Sequence, residues 1–220
     1  MSEQPSDYFA SIERHLYTAV LADVLDDLGH RDRSMHHDIR PLYDGAKIVG
    51  RAATLLVAEV FENPEEPYKL ELQMLDNVKT GEVLVFSTPP SRTVGIWGEL
   101  MATRAQVLGG RGAVIDGLTR DVPQLINMEF PVFCAGTSPA DAKGRLDVIG
   151  IRVPVSVGGV LVQDGDLVVA DADGCVVVPV EAEAETIAKA REKVSGEDMV
   201  RDRLLGGATL AEVYRDTGIL

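Results

Sequence analysis

The chain has 220 residues, 45% hydrophobic, 25% charged and 5% aromatic, which supports one domain with an aliphatic core and excludes a disulfide miniprotein or wholesale disorder. Thirty-five acids against 21 Lys and Arg give a net charge of −14, a surface that repels phosphate backbones, so no direct nucleic-acid binding is expected. No stretch is apolar for long enough to span a bilayer and Met1 to Ala10 lacks a secretion signal's apolar run, so no membrane association and a cytoplasmic location are expected.

In chain order, Ser6 can cap a helix reaching about Leu28, with Phe9, Ile12, Leu16, Val20, Val24 and Leu28 on one stripe and Gly29 as its stop. Ala46 to Phe61, interrupted by Gly50, predicts two short strands or one bent strand, ended by Pro64 and Pro67. Leu70 to Val78 has helical spacing and Val83 to Phe86 reads as a strand. A Pro- and Gly-containing loop from Ser87 to Gly98 then feeds a helix from about Glu99 to Leu108. Ala113 to Ile115 is a buried strand, after which Asp116-Gly117 turns toward a short helix from about Val122 to Met128.

Beyond a strand at Val132 to Ala135 the pattern changes. Gly158-Gly159 joins Val153–Val157 to Val160–Val162 as a two-residue hairpin, and Asp171 to Gly174 joins Leu167–Ala170 to Cys175–Val178. Glu181 to Lys193, about Asp198 to Leu205, and Thr209 to Tyr214 are helical and charged. The fold class is therefore mixed α/β with a layered sheet core. A single domain over 1–220 is expected, with an N-terminal helix at about 6–28 and a helical segment at about 181–215.

Several motifs dissolve on inspection. Gly110-Arg111-Gly112 follows a helix and precedes a strand, the reverse of a dinucleotide-binding turn. Asp171-Ala172-Asp173-Gly174 lacks the closing Glu of a calcium loop. His36 and His37 are adjacent and on a strand would face opposite ways. Cys134 and Cys175, in apolar runs without metal spacing, read as buried thiols.

Two segments remain. At Gly95-Ile96-Trp97-Gly98-Glu99-Leu100-Met101, glycines lead into a helix whose first amides have no internal partner, a place for a carboxylate. Alternatively the glycines only shape the turn and Glu99 complements the helix dipole. Asp116-Gly117-Leu118-Thr119-Arg120-Asp121 follows a buried strand, at the end where open α/β sheets place ligands. Arg120 can meet a carboxylate or oxo group and Asp121 a cation, or Asp121 can cap the helix at Val122.

These two segments, Gly98-Glu99-Leu100-Met101 and Gly112 to Asp121, resemble the signature of the RraA-like family, which includes 4-hydroxy-4-methyl-2-oxoglutarate aldolases. Thr18 to Asp26 is similar to the family's opening helix and Gly165 to Gly174 to its late strand pair. The resemblance implies an α/β sandwich with a swivelling β/β/α-type core, and a homotrimer or homohexamer with its active site between subunits. It implies that Asp121 ligates Mg²⁺ or Mn²⁺, that Arg120 binds a small 2-oxo acid near its keto oxygen, and that the Leu100 and Met101 amides, beside Gly98, hold its carboxylate. Glu99 stands where the aldolases usually carry Asp, in the role of orienting metal-bound water.

Glu197 matches the residue that aldolase members supply from the neighbouring subunit to hold that water. Regulatory members, which inhibit a ribonuclease E-like endonuclease, lack it. From the residues alone, Ser195 with Asp198 forms a capping box and Glu197 decorates a helix start. The expected activity is that of a metal-dependent class II pyruvate aldolase with oxaloacetate decarboxylase activity, a lyase needing no Schiff-base lysine. The alternative is a non-catalytic regulator of that endonuclease. Arg92, Lys143 and Arg145 are candidates for a second substrate carboxylate. A methyltransferase is not expected, because no glycine-rich strand-to-helix turn would hold S-adenosylmethionine.

Overall fold

The computed structural model describes residues 5–91 and 93–219. In chain order its elements are α1 (Pro5–His15), α2 (Thr18–Asp27), β1 (Arg40–Pro41), β2 (Ile48–Glu59), α3 (Lys69–Asp76), β3 (Glu82–Ser87), β4 (Gly95–Trp97), α4 (Glu99–Val107) and β5 (Gly112–Thr119). There follow α5 (Val122–Asn127), β6 (Val132–Thr137), β7 (Leu146–Ile151), β8 (Val155–Val157), β9 (Val160–Val162), β10 (Leu167–Asp171), β11 (Gly174–Val178), α6 (Glu183–Leu205) and α7 (Leu210–Thr217).

The main sheet has the strand order β1-β6-β5-β3-β2-β10-β11, with β4 added to β5 and β7 added to β2. Its centre, β2-β3-β5-β6, is parallel. Crossovers that step the same way across a sheet and keep one handedness must put their helices on one face. Accordingly α3, α4 and α5 all contribute to one core, with Met74, Leu75, Ala102, Ala105 and Leu125 packed on Leu84, Phe86, Ala113 and Ile115. The alternate residues Val83, Val85 and Val114 face the other way, against Val155, Val157, Val160 and Val162 of the β8–β9 hairpin and against β10 and β11. A third core seals the outside of β10 and β11 with α1, α2 and α6. This is the layered α/β architecture with a β/β/α core expected from the sequence.

Strand β2 is one continuous strand of 12 residues. It pairs β3 along one edge and shares the other between β10 at Ile48–Arg51 and β7 at Leu55–Glu59, with a bulge at Leu56/Val57. Both glycine hairpins form as expected: Gly158 and Gly159 have φ of 55° and 80°, the doubly left-handed turn that fits strand twist. Cys134 and Cys175 are buried free thiols, and burial pushes both of them up.

Three local expectations change. The stretch 6–28 is two helices, because Asp171 on β10 accepts the Thr18 N–H at 2.8 Å and the Thr18 hydroxyl at 2.6 Å, giving α2 its own start. The Ser6 side chain lies outside the described residues. Asp116-Gly117 is not a turn: β5 runs on to Thr119 through an irregularity between Ile115 and Leu118. Finally, no helix starts near Asp198. Ser195 lies inside the 23-residue α6 and donates to the Arg191 carbonyl at 3.1 Å, while the capping box forms at Thr209 and Glu212 instead. Among the described residues no helix is long and apolar enough to cross a membrane.

Candidate active site

The two sequence segments meet because β4 lies parallel to the last residues of β5, pairing Gly95 with Leu118 and Trp97 with Thr119. The chain therefore leaves both strands side by side, into α4 from one and into Arg120-Asp121 from the other. The Arg120 N–H donates to the Trp97 carbonyl at 2.8 Å and the Thr119 hydroxyl to the same oxygen at 3.0 Å. Trp97 is fully buried, its ring 5.6 Å from Phe86 edge-on and 5.9 Å from Phe130 in a stack. Such packing fixes the strand end on which the site stands.

The Asp121 side chain does not cap the helix it precedes. The residue adopts a left-handed conformation, φ 58°, and only its backbone carbonyl bonds to α5, accepting from the Gln124 and Leu125 N–H groups. Its Oδ2 instead accepts the Glu99 N–H at 3.1 Å, at the start of α4. Gly98 makes this approach possible, since a Cβ there would stand 2.5 Å from Asp121 Oδ2 and 3.3 Å from Arg120 Cγ. The first intrahelical bond of α4 is Ala102 N–H to the Gly98 carbonyl, so the Leu100 and Met101 amides have no acceptor within the helix.

Arg120 and Asp121 do not neutralise each other well: Nε lies 3.8 Å from Asp121 Oδ2, while Nη1 pairs with Asp141 Oδ1 at 3.1 Å. Asp141 precedes β7 and is carried to the site by a parallel bridge to Gly95. A cleft of about 200 Å³ opens here, lined by Gly98, Leu100, Met101, Arg120, Asp121 and Asp141 together with Tyr68, Glu71, Leu72 and Leu75 from α3 and its start. Glu71 is 5% exposed, and its carboxyl is pushed up to about 7, first by burial and then by the Asp147 and Asp141 carboxylates. Burial, followed by Asp141, also pushes the Tyr68 hydroxyl up.

Sequence reading thus located Gly98, Leu100, Met101, Arg120 and Asp121, which line one cleft. It missed Asp141, Tyr68 and Glu71. Glu71 was detectable, being a charge on the buried stripe that it shares with Met74 and Leu75. Two further candidates lie off the cleft lining. The Glu99 backbone is in the site, but its carboxylate turns along α4 to accept from Thr103 at 2.8 Å. Glu197, on α6, accepts a hydrogen bond from Tyr17, whose hydroxyl is raised to about 12 by burial and then by Glu197. Arg145 donates to the Asp141 carbonyl at 2.8 Å, Lys143 is exposed, and Arg92 lies outside the described residues.

The RraA-like family model, described as Aldolase/RraA, matches residues 18–177, which span α2 through β11 and contain the whole cleft lining. The chain belongs to the RraA-like family. A Halalkalibacterium halodurans relative, named "Putative 4-hydroxy-4-methyl-2-oxoglutarate aldolase", is 32% identical over 96% of this chain and 94% of its own. Among solved RraA-like folds, an uncharacterized protein from Pseudomonas syringae is 31% identical, with a TM-score of 0.84 over 98% of this chain and 96% of that one. Streptomyces coelicolor RraAS2, described as an unusual member of the RNase ES inhibitor RraA protein family, is 32% identical, with a TM-score of 0.79 over 91% and 98% of the two chains.

Proposed function

We propose that this RraA-like protein is a class II aldolase that cleaves 4-hydroxy-2-oxo acids to pyruvate, the class to which 4-hydroxy-4-methyl-2-oxoglutarate belongs, and that it decarboxylates oxaloacetate by the same bond chemistry. The observation that carries this reading is the convergence of Arg120 and Asp121 on the start of α4, where the Leu100 and Met101 amides stand without intrahelical acceptors. A small 2-oxo acid fits that set of groups: its carboxylate on the two amides, its oxo oxygen on the Arg120 guanidinium.

Cleavage of the C3–C4 bond leaves its electron pair on the pyruvyl fragment, with negative charge on the oxo oxygen. Arg120, pre-oriented by Asp141, donates to that oxygen as charge develops. The donor set of the cleft also suits a hard divalent cation held mostly by water and substrate oxygens, since Asp121 Oδ1 has no hydrogen bond among the described residues and no group of three His, Cys, Asp or Glu forms a protein cage there. Asp121 would hold Mg²⁺ or Mn²⁺, which when bound supplies Lewis-acid stabilisation worth several kcal/mol. Glu197 of a neighbouring copy, in a homotrimer or homohexamer, would orient the water that takes the 4-hydroxyl proton and returns a proton to C3 of the enolate, giving pyruvate.

The test is pyruvate release from a panel of 4-hydroxy-2-oxo acids and oxaloacetate, with Mg²⁺ or Mn²⁺ and with EDTA. Turnover that EDTA abolishes and that is lost in Arg120→Ala and Asp121→Ala is expected. Folded protein without turnover across the panel would remove the enzyme reading. It would leave a regulator of a ribonuclease E-like endonuclease, the reading that the likeness to RraAS2 favours.

A further inference from the structure

Glu197 is a helix carboxylate kept apart from the cations around it. On α6, Lys193 lies one turn before it and Arg201 one turn after, the spacing at which a helical Glu ordinarily finds an ion-pair partner. Both cations are engaged elsewhere: Lys193 pairs with Asp23 of α2 at 2.6 Å, and Arg201 pairs with Asp198. Among the described residues Glu197 is hydrogen-bonded by Tyr17 alone, which donates to Oε2 and leaves Oε1 unbonded. An arginine fork would occupy both oxygens and offset the charge, whereas a neutral phenol fixes the carboxylate and leaves its charge and one oxygen for a further donor.

Tyr17 is itself held in place. It stands in the extended link between α1 and α2, its ring packed against the third core, and its carbonyl accepts the Leu21 N–H at 3.3 Å as α2 begins. The next residue, Thr18, is tied to Asp171 through both its N–H and its hydroxyl. Burial, followed by the bond to Glu197, pushes the Tyr17 hydroxyl up to about 12, so it stays a donor at neutral pH. Tyr17 does not line the cleft of its own chain.

We propose that Tyr17 is a positioning residue for the reaction, holding the Glu197 carboxylate so that Oε1 is presented to the water in a neighbouring copy's cleft. The inference rests on the aldolase reading and on the part given there to Glu197. Tyr17→Phe keeps the ring in the core and removes the donor, which frees the carboxylate to turn toward Lys193 or Arg201. The loss is then one of orientation, felt in turnover and not in substrate binding.

A double-mutant cycle tests this: pyruvate release from 4-hydroxy-4-methyl-2-oxoglutarate in Mg²⁺ by wild type, Tyr17→Phe, Glu197→Gln and the double variant, each checked by thermal melting. Tyr17→Phe should lower kcat about tenfold with KM within about twofold of wild type, and Glu197→Gln should lower kcat about 100-fold. The double variant should match Glu197→Gln within about twofold, because a group that acts only through Glu197 has nothing left to orient. A merely structural Tyr17 would cost the same factor in both backgrounds, and such additive losses would overturn the proposal. So would wild-type kcat in Tyr17→Phe. Wild-type kcat in Glu197→Gln would remove the part given to Glu197, and the proposal with it, while leaving the aldolase reading in place. Folded wild type that releases no pyruvate would overturn the aldolase reading and the proposal together.

Discussion

The Asp121 carboxylate reaches across to the start of a helix it does not precede, accepting the Glu99 N–H at 3.1 Å over a glycine that leaves no room for a side chain. Gly98 has φ −154°, which any residue adopts, so its role is space and not backbone freedom. Gly98→Ala is expected to displace Asp121 and Arg120 and to lower kcat/KM by about 100-fold, the scale of an ångström-sized misplacement. Thermal unfolding should move far less than activity. An alanine variant with wild-type turnover would show that the contact is dispensable.

Asp121 separates stability from function in another way. Its φ of 58° is tolerated by Asp and costs nothing for Gly. Asp121→Gly should therefore stay within about 1 kcal/mol of wild-type stability while turnover falls by 100-fold or more. Denaturant melts beside pyruvate assays measure both quantities.

Arg120 is wedged between Asp141 and Asp121, and Lys cannot reproduce its planar fork. Arg120→Lys retains charge at the cleft but is expected to lose about 100-fold in kcat, with a smaller effect on KM, because the lost donor serves developing charge. Steady-state kinetics at saturating metal would show the split.

Glu71 gives the protein a pH signature. Its folded pKa of about 7 lies above the ordinary carboxyl value of 4.5, so folded protein holds the proton more tightly than unfolded chain. The associated stability is fully present below about pH 4.5 and is lost as the pH rises through about 7. Glu71→Gln should thus be more stable than wild type at pH 8, by about 2 kcal/mol, with the two converging toward pH 4.5. Parallel melting curves across that range would refute the assignment.

Away from the cleft, Asp171 ties the late hairpin to α2 through Thr18 and also accepts the Asp173 N–H at 3.0 Å. It is 9% exposed, and Asp171→Ala leaves the Thr18 donors unpaired, at a cost of about 2–3 kcal/mol in unfolding measurements.

Much of this was legible in the residues. Alternating Val and Leu marked β3, the paired glycines marked the β8–β9 hairpin, and the Gly-x-Leu and Arg-Asp segments marked the cleft. Strand β7 escaped because Leu146–Ile151 is held as a strand mainly by pairing with the far half of β2, a long-range effect with weak local signal. The break before Thr18 escaped for a related reason: its cause is a carboxylate 153 residues away. Asp141 is invisible in sequence, since nothing local says that a loop after β6 will bridge to Gly95.

Strand β5 is clasped by β4 and β6 along the residues that deliver Arg120, whereas Glu71 rides on a separate helix packed against β7 and α4. The floor that carries Arg120 thus cannot shift without unzipping three strands, while the α3 wall of the cleft is a replaceable panel. Under the 2-oxo acid reading, swapping residues on α3 would change the shape of that wall and leave the Arg120 floor untouched.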